Sequence, residues 1–135
     1  MVSELSPAMA GAKLSPFLSV RRGKEAVAFY EAAFGAKVLF RHDAEDGTTV
    51  AQLGIGNYDF WVSDESPQYK TFSPETLGGG TMHLVIVVDD PDAVYDHAVA
   101  AGASVECAMR DEYAWRIGKL RDPFGHAWEI GKPLQ

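Results

Sequence analysis

Cysteine is almost absent. Cys107 is the only one in 135 residues, so no internal disulfide can form, and a reducing, cytoplasmic setting is expected. Long apolar runs are missing too. The best spans residues 84–88, far short of the ~20 residues a membrane helix needs. No basic segment followed by an apolar run opens the chain, so neither a secretory leader nor a membrane partner is expected. Cations are in deficit: 12 Lys and Arg stand against 19 Asp and Glu, a net charge of −7. That balance repels phosphate backbones and excludes nucleic acid as a partner, while mildly favouring cationic guests.

The composition is that of an ordinary globular chain, with 47% hydrophobic and 23% charged residues. The length suits one domain that buries its core without staples. Two stretches share one layout. Residues 16–20 read as a strand, Arg21-Arg22-Gly23 as a turn, and 24–34 as a helix with Ala26, Phe29, Tyr30, Ala33 and Phe34 on one stripe. Gly35 ends that helix as a left-handed cap. Residues 83–88 read as the matching strand, Asp90-Pro91 as a helix start, and 92–101 as the second helix, ended by Gly102. Three strands follow each helix: 37–41, 48–55 and 58–63 in the first half, 104–108, 115–121 and 126–130 in the second. The expected organisation is therefore a tail at 1–12, a βαβββ module at 13–64, a linker or lid at 65–80 carrying Gly78-Gly79-Gly80, and a second module at 81–131. One such unit cannot bury its sheet alone, so the two share one structural domain, 13–131.

Turn chemistry assigns the faces. Asp122-Pro123-Phe124-Gly125 suits a type I turn with a glycine bulge, which sets Lys119 opposite Glu129. Leu120, Trp128 and Ile130 then face the helices, and Ile117, Lys119, Ala127 and Glu129 the other side. Gly56-Asn57 is a glycine-first two-residue turn, pairing Leu53 with Phe60 and Gln52 with Trp61. Leu53, Ile55, Phe60 and Val62 face the helices; Val50, Gln52, Asp59 and Trp61 share the open face. Ser15 and His83 stand 68 residues apart, as do Trp61 and Glu129.

Two βαβββ modules in this length resemble the vicinal oxygen chelate superfamily of glyoxalase I, bleomycin-resistance proteins and extradiol dioxygenases. The segments Phe29-Tyr30 through Phe34-Gly35-Ala36, and Asp122-Pro123-Phe124-Gly125-His126-Ala127-Trp128, look most like its phosphonate-operon or demethylubiquinone-methyltransferase-like branch. The resemblance implies an α+β fold whose two sheets close into a cup. It also implies metal ligands on the first and fourth strands of each module, which here are Ser15, Trp61, His83 and Glu129. Only His83 and Glu129 are competent, short of a zinc or oxygen-activating iron set. A divalent metal would meet an incomplete ligand set, so no cofactor is expected. Lys119 is expected to pair with Glu129 and supply the missing positive charge.

The expected function is the binding of a small molecule in the cup, by a homodimer whose first strands need cover. Phe17, Gln52, Trp61, His83, Ile117 and Lys119 are the candidate ligand contacts, with Tyr113 and Trp115 at the rim. Trp61 offers an aromatic platform to a planar or cationic guest. The alternative is a metal-assisted lyase, isomerase or dioxygenase in which His83 and Glu129 hold the metal and Glu129 moves the proton. A third reading is a non-enzymatic regulatory module. Arg116 is expected to make structural ion pairs, His126 to satisfy the last hairpin, His42 and His97 to lie on the surface, and Cys107 to be a small buried hydrophobe.

Overall fold

The computed structural model describes residues 5–135. The sequence expectation of a tail falls partly on 1–4, outside the described residues. Residues 5–12 form exposed turns closed by backbone bonds such as Met9 N to Leu5 O at 2.9 Å.

The first module runs β1 (Phe17–Val20), α1 (Gly23–Phe34), β2 (Lys37–Asp43), β3 (Thr49–Ile55) and β4 (Tyr58–Asp64). A connector follows, with a 3-10 turn at Pro67–Tyr69 and the short helix α2 (Pro74–Leu77). The second module runs β5 (His83–Val87), α3 (Pro91–Ala101), β6 (Ser104–Glu112), β7 (Trp115–Arg121) and β8 (Ala127–Pro133). Each module is one four-stranded sheet, ordered β1-β4-β3-β2 and β5-β8-β7-β6. The first strand of each pairs in parallel with the fourth, so β1 and β5 are edges. This is the α+β fold expected.

The helix ends follow their sequence signals. Gly35 takes φ 65 and receives the end of α1, and the Asp90 side chain accepts from Ala93 N ahead of Pro91. Both hairpin registers are as read: Leu53 faces Phe60, Gln52 faces Trp61, and Lys119 faces Glu129. Alternation then buries Leu53, Phe60, Val62, Leu120, Trp128 and Ile130. One core joins the modules, with α1 packed on α3 and the Trp128 ring 4.7 Å from Phe34 and 5.7 Å from Phe60. The faces carrying Trp61 and Glu129 are turned away from that core.

Several elements run longer than expected. The sequence stops the sixth strand at Ala108, yet β6 reaches Glu112 and turns at Tyr113-Ala114, both left-handed with φ 55 and 63. Such a turn ordinarily asks for Asn-Gly, so its residues carry no signal. The connector is more built than a linker. Ser73 is buried and caps α2, and Glu65 accepts from Ser73 N at 2.6 Å and from Thr76 Oγ1 at 2.8 Å.

Candidate functional site

The open face of the first sheet is aromatic. Phe17 sits beside Trp61 in the parallel β1–β4 pair, and their rings stack at 6.3 Å with 5° between planes. Phe40 joins them, 5.9 Å from Trp61. A bulge at Leu39 puts it there: Val38 pairs with Leu53, but Phe40 pairs with Gln52 rather than Ala51, so its side chain turns to the open face. Phe17 and Phe40 are about half exposed, and Trp61 is partly buried between them. Beside this cluster, Asp59 accepts from the Gln52 amide and, at 3.0 Å, from the Ser15 hydroxyl. Those two bonds, Gln52 foremost, hold the Asp59 carboxyl below its usual range.

The open face of the second sheet is charged. His83 Nε2 lies 3.0 Å from Glu129 Oε1, both side chains partly accessible. The Lys119–Glu129 pairing expected from sequence is not what forms. The two are cross-strand neighbours, but Lys119 Nζ points to Glu106 at 3.9 Å, and Glu129 takes the histidine on the adjoining strand. Glu106 is also held by Arg121, whose hydrogen bond keeps its carboxyl below the usual range. Cys107 is exposed, not buried. It sits on the edge strand β6 opposite Lys119, a position that gives it the open face rather than the core.

The residues expected to line one cup divide among three concavities. A cavity of about 730 Å³ between the modules is lined by Phe17, His83 and Lys119 together with the connector. A recess of about 330 Å³ on the second sheet holds Ile117, Glu129, Tyr113 and Trp115. A third, of about 320 Å³, holds Gln52 and Asp59. Trp61 lines none of these three; Phe17, stacked on its ring, lines the first, and Glu129 lines the second.

The supporting residues behave as ordinary structure. Arg116 grips Asp92 at 2.7 Å and Asp111 at 3.3 Å, and those bonds raise its pKa. His97 contacts Ala32 O at 2.8 Å, tying α3 to α1, and His126 contacts Ser19 O at 2.9 Å, tying the last hairpin to β1. His42 is exposed on β2.

Sequence reasoning missed a second role of Asp122. Beyond starting the turn, its carboxylate is buried and accepts from Tyr30 Oη, Trp128 Nε1 at 2.9 Å, Phe124 N at 2.9 Å and His126 N at 3.0 Å. Tyr30 comes from the other module, so this carboxylate latches the two halves. Burial, and then the Asp122 charge, push the Tyr30 phenol well above its ordinary pKa. The available signal was an acid in a turn six residues before a tryptophan on the core face.

The donor set does not fit a complete metal site. Ser15 is engaged with Asp59, and the indole of Trp61 offers only an N–H. His83 and Glu129 remain, 3.0 Å from each other. Among the described residues no group of three or more His, Cys, Asp or Glu converges on a point.

Paired four-stranded sheets and an internal βαβββ repeat define the glyoxalase-like class of α+β proteins. The match is specific: residues 13–130 fit the family model described as Glyoxalase/Bleomycin resistance protein/Dioxygenase superfamily, and the chain belongs to that superfamily. An uncharacterized protein of Mycobacterium tuberculosis (strain ATCC 25618 / H37Rv) is 37% identical over 127 residues, covering 90% of this chain and 75% of the relative. Among solved structures, TioX from Micromonospora sp. ML1 is similar at 26% identity and a TM-score of 0.73, covering 92% of this chain and all of that one. A gene product from Arabidopsis thaliana is similar at 27% identity and a TM-score of 0.70, covering 87% and 96%. No helix among the described residues is long and apolar enough to cross a membrane.

Proposed function

We propose that this protein binds a small organic molecule on the open faces of its two sheets, without a complete resident metal site. The observation that carries the reading is the accessible stack of Phe17, Trp61 and Phe40. Three aromatic rings gathered outside the core contribute little to folding, yet offer a flat apolar platform. The chain acts as a homodimer. Phe17, Phe40, Val85, Val87 and Val105 are each about half exposed, and the edge strands β1 and β5 carry unpaired backbone groups. A second copy laid over these faces turns each open sheet into one wall of a closed cup. Within the superfamily, the Phe34-Gly35-Ala36 and Asp122-Pro123-Phe124-Gly125 segments favour the phosphonate-operon or demethylubiquinone-methyltransferase-like branch. Cys107, exposed and without a disulfide partner, suits a reducing cytoplasm.

A thermal-shift screen of metabolites and natural products tests the binding reading. Compounds that stabilise the native chain are expected to lose that effect in Trp61→Ala. A screen whose hits respond equally in both proteins contradicts the reading.

A second reading draws on the His83–Glu129 contact. A carboxylate held 3.0 Å from an imidazole nitrogen, both reachable by solvent, is a pair positioned for proton transfer. Glu129 then takes the proton and His83 relays it. A lyase or isomerase activity abolished by Glu129→Gln in a folded protein supports this reading over simple binding.

A further inference from the structure

The cavity between the modules has a lining unlike the rest of the chain. Acidic residues outnumber basic ones by 19 to 12, yet among the described residues no Asp or Glu lines this space. Its ionisable residues are Lys119, Arg121, His83 and His126. The lining also includes the apolar side chains of Phe17, Phe72, Leu77 and Met82. The volume, about 730 Å³, falls within the roughly 300–1,000 Å³ of small-molecule sites.

The two permanent cations keep donor capacity to spare. Arg121 gives Nε to Glu106 and Nη1 to Gly125 O, which leaves Nη2. Lys119 keeps only a loose 3.9 Å contact with that same carboxylate. One acid thus serves two permanent cations, and an ammonium with three donors has capacity for another acceptor. Glu129, the other acid nearby, lies 3.0 Å from the His83 ring and faces the adjoining recess. The roof is firmly placed: Glu65 anchors α2, and the Gly125 turn packs so tightly under it that a Cβ there would come within 2.8 Å of Pro74. Beyond α2, Gly78, Gly79 and Gly80 also line the cavity, and a Cβ added at any of them would meet nothing within 4 Å.

We propose that this inter-module cavity binds an organic anion. A carboxylate or phosphonate head group sits on Lys119 and Arg121, and an apolar body lies against Phe17, Leu77 and Met82. This deepens the binding reading above and rests on it for Phe17. It also reverses, locally, the preference for cations that the net charge of −7 implies.

The test uses four ligands sharing one tail: octanoate, octylphosphonate, octylammonium and octanol, titrated into the ¹⁵N-labelled full chain. Octanoate or octylphosphonate is expected to shift the amides of Gly78, Gly79, Gly80, His83 and Ala127, and the tighter of the two identifies the head group. Lys119→Gln should weaken that binding about tenfold, as loss of a charge-assisted contact does, and Lys119→Arg should restore most of it. Equal binding of octylammonium or octanol, shifts confined to other residues, or no response to either anion at millimolar concentration overturns the proposal. A compound whose affinity falls in Trp61→Ala but not in Lys119→Gln overturns it too, while leaving the platform at Trp61 standing.

Discussion

Removing one oxygen atom from the centre of the molecule makes a sharp test of how the two modules are held together. Tyr30 Oη donates to Asp122 across the module boundary, and both residues are buried. Tyr30→Phe keeps the ring packing on Phe29, Phe60 and Trp128 and deletes only that bond. A hydrogen bond to a buried charge contributes about 1.5–3 kcal/mol, so about 2 kcal/mol is expected, or roughly 6–8 °C in Tm for a chain of this size. Asp122→Asn is harsher. It puts an amide donor among four donors, so at least one stays unpaired in the core, at about 3–4 kcal/mol. The double variant should cost less than the two singles added, by about 1–2 kcal/mol, because they break the same contact. Urea unfolding at neutral pH measures all three. The phenol adds a pH signature. Its pKa is raised in the folded state, so its contribution is complete below the unfolded value of about 10 and is lost as pH rises beyond it. The gap between the native chain and Tyr30→Phe should therefore narrow above about pH 10. A Tyr30→Phe chain within about 0.5 kcal/mol of the native one at neutral pH would refute the latch.

Other consequences are simpler to state. The carboxyls of Asp59, Glu65 and Glu106 are each held below the usual range, so their stabilisation is present above the unfolded carboxylate value of about 4 and fades as pH falls below it. Urea midpoints should drop across that window, and less so in a Glu65→Gln chain. Gly125→Ala places a side chain at φ 96 and against Pro74, and should cost about 1–3 kcal/mol by the same assay. Light scattering at micromolar concentration should return about twice the 14.7 kDa chain mass, and a monomer would contradict the dimer. Elemental analysis after chelator-free purification should find well under one transition metal per chain. One tightly held ion per chain would contradict the proposal of an incomplete metal site.

The parts of the fold that the sequence discloses are those fixed by local rules. Strand alternation together with two recognisable turns sets Trp128, Leu120, Leu53 and Phe60 into the core and Trp61, Lys119 and Glu129 onto the open faces. What escapes depends on irregularity or on distance. The bulge at Leu39 moves Phe40 to the face opposite the one simple alternation assigns, and nothing in its neighbours announces it. The Tyr113-Ala114 turn lacks glycine and asparagine, so the length of β6 is invisible. Register shifts in β6 and its edge position expose Cys107, which composition alone places inside. The choice of His83 over Lys119 by Glu129 is decided by side-chain reach between neighbours that the register already provides. The cationic lining of the inter-module cavity is assembled from β5, β7 and the last hairpin, with apolar residues added by β1 and the connector, and no single segment carries it.

Trp61 and Trp128 serve opposite faces of their sheets. Trp61 lies on the open face proposed to bind the ligand, against Phe17 and Phe40, and Trp128 lies in the shared core, 2% exposed, against Tyr30, Phe34 and Phe60. Calorimetric titration of a compound identified by thermal shift, run beside urea unfolding of the same proteins, separates the two roles. Trp61→Ala should weaken binding by about 1–3 kcal/mol, up to roughly 150-fold in Kd, with a smaller loss of stability. Trp128→Ala should cost about 3–5 kcal/mol of stability, leaving affinity nearly unchanged in whatever fraction stays folded. The opposite pattern, with Trp128→Ala abolishing binding in a folded chain and Trp61→Ala chiefly unfolding it, would contradict the account.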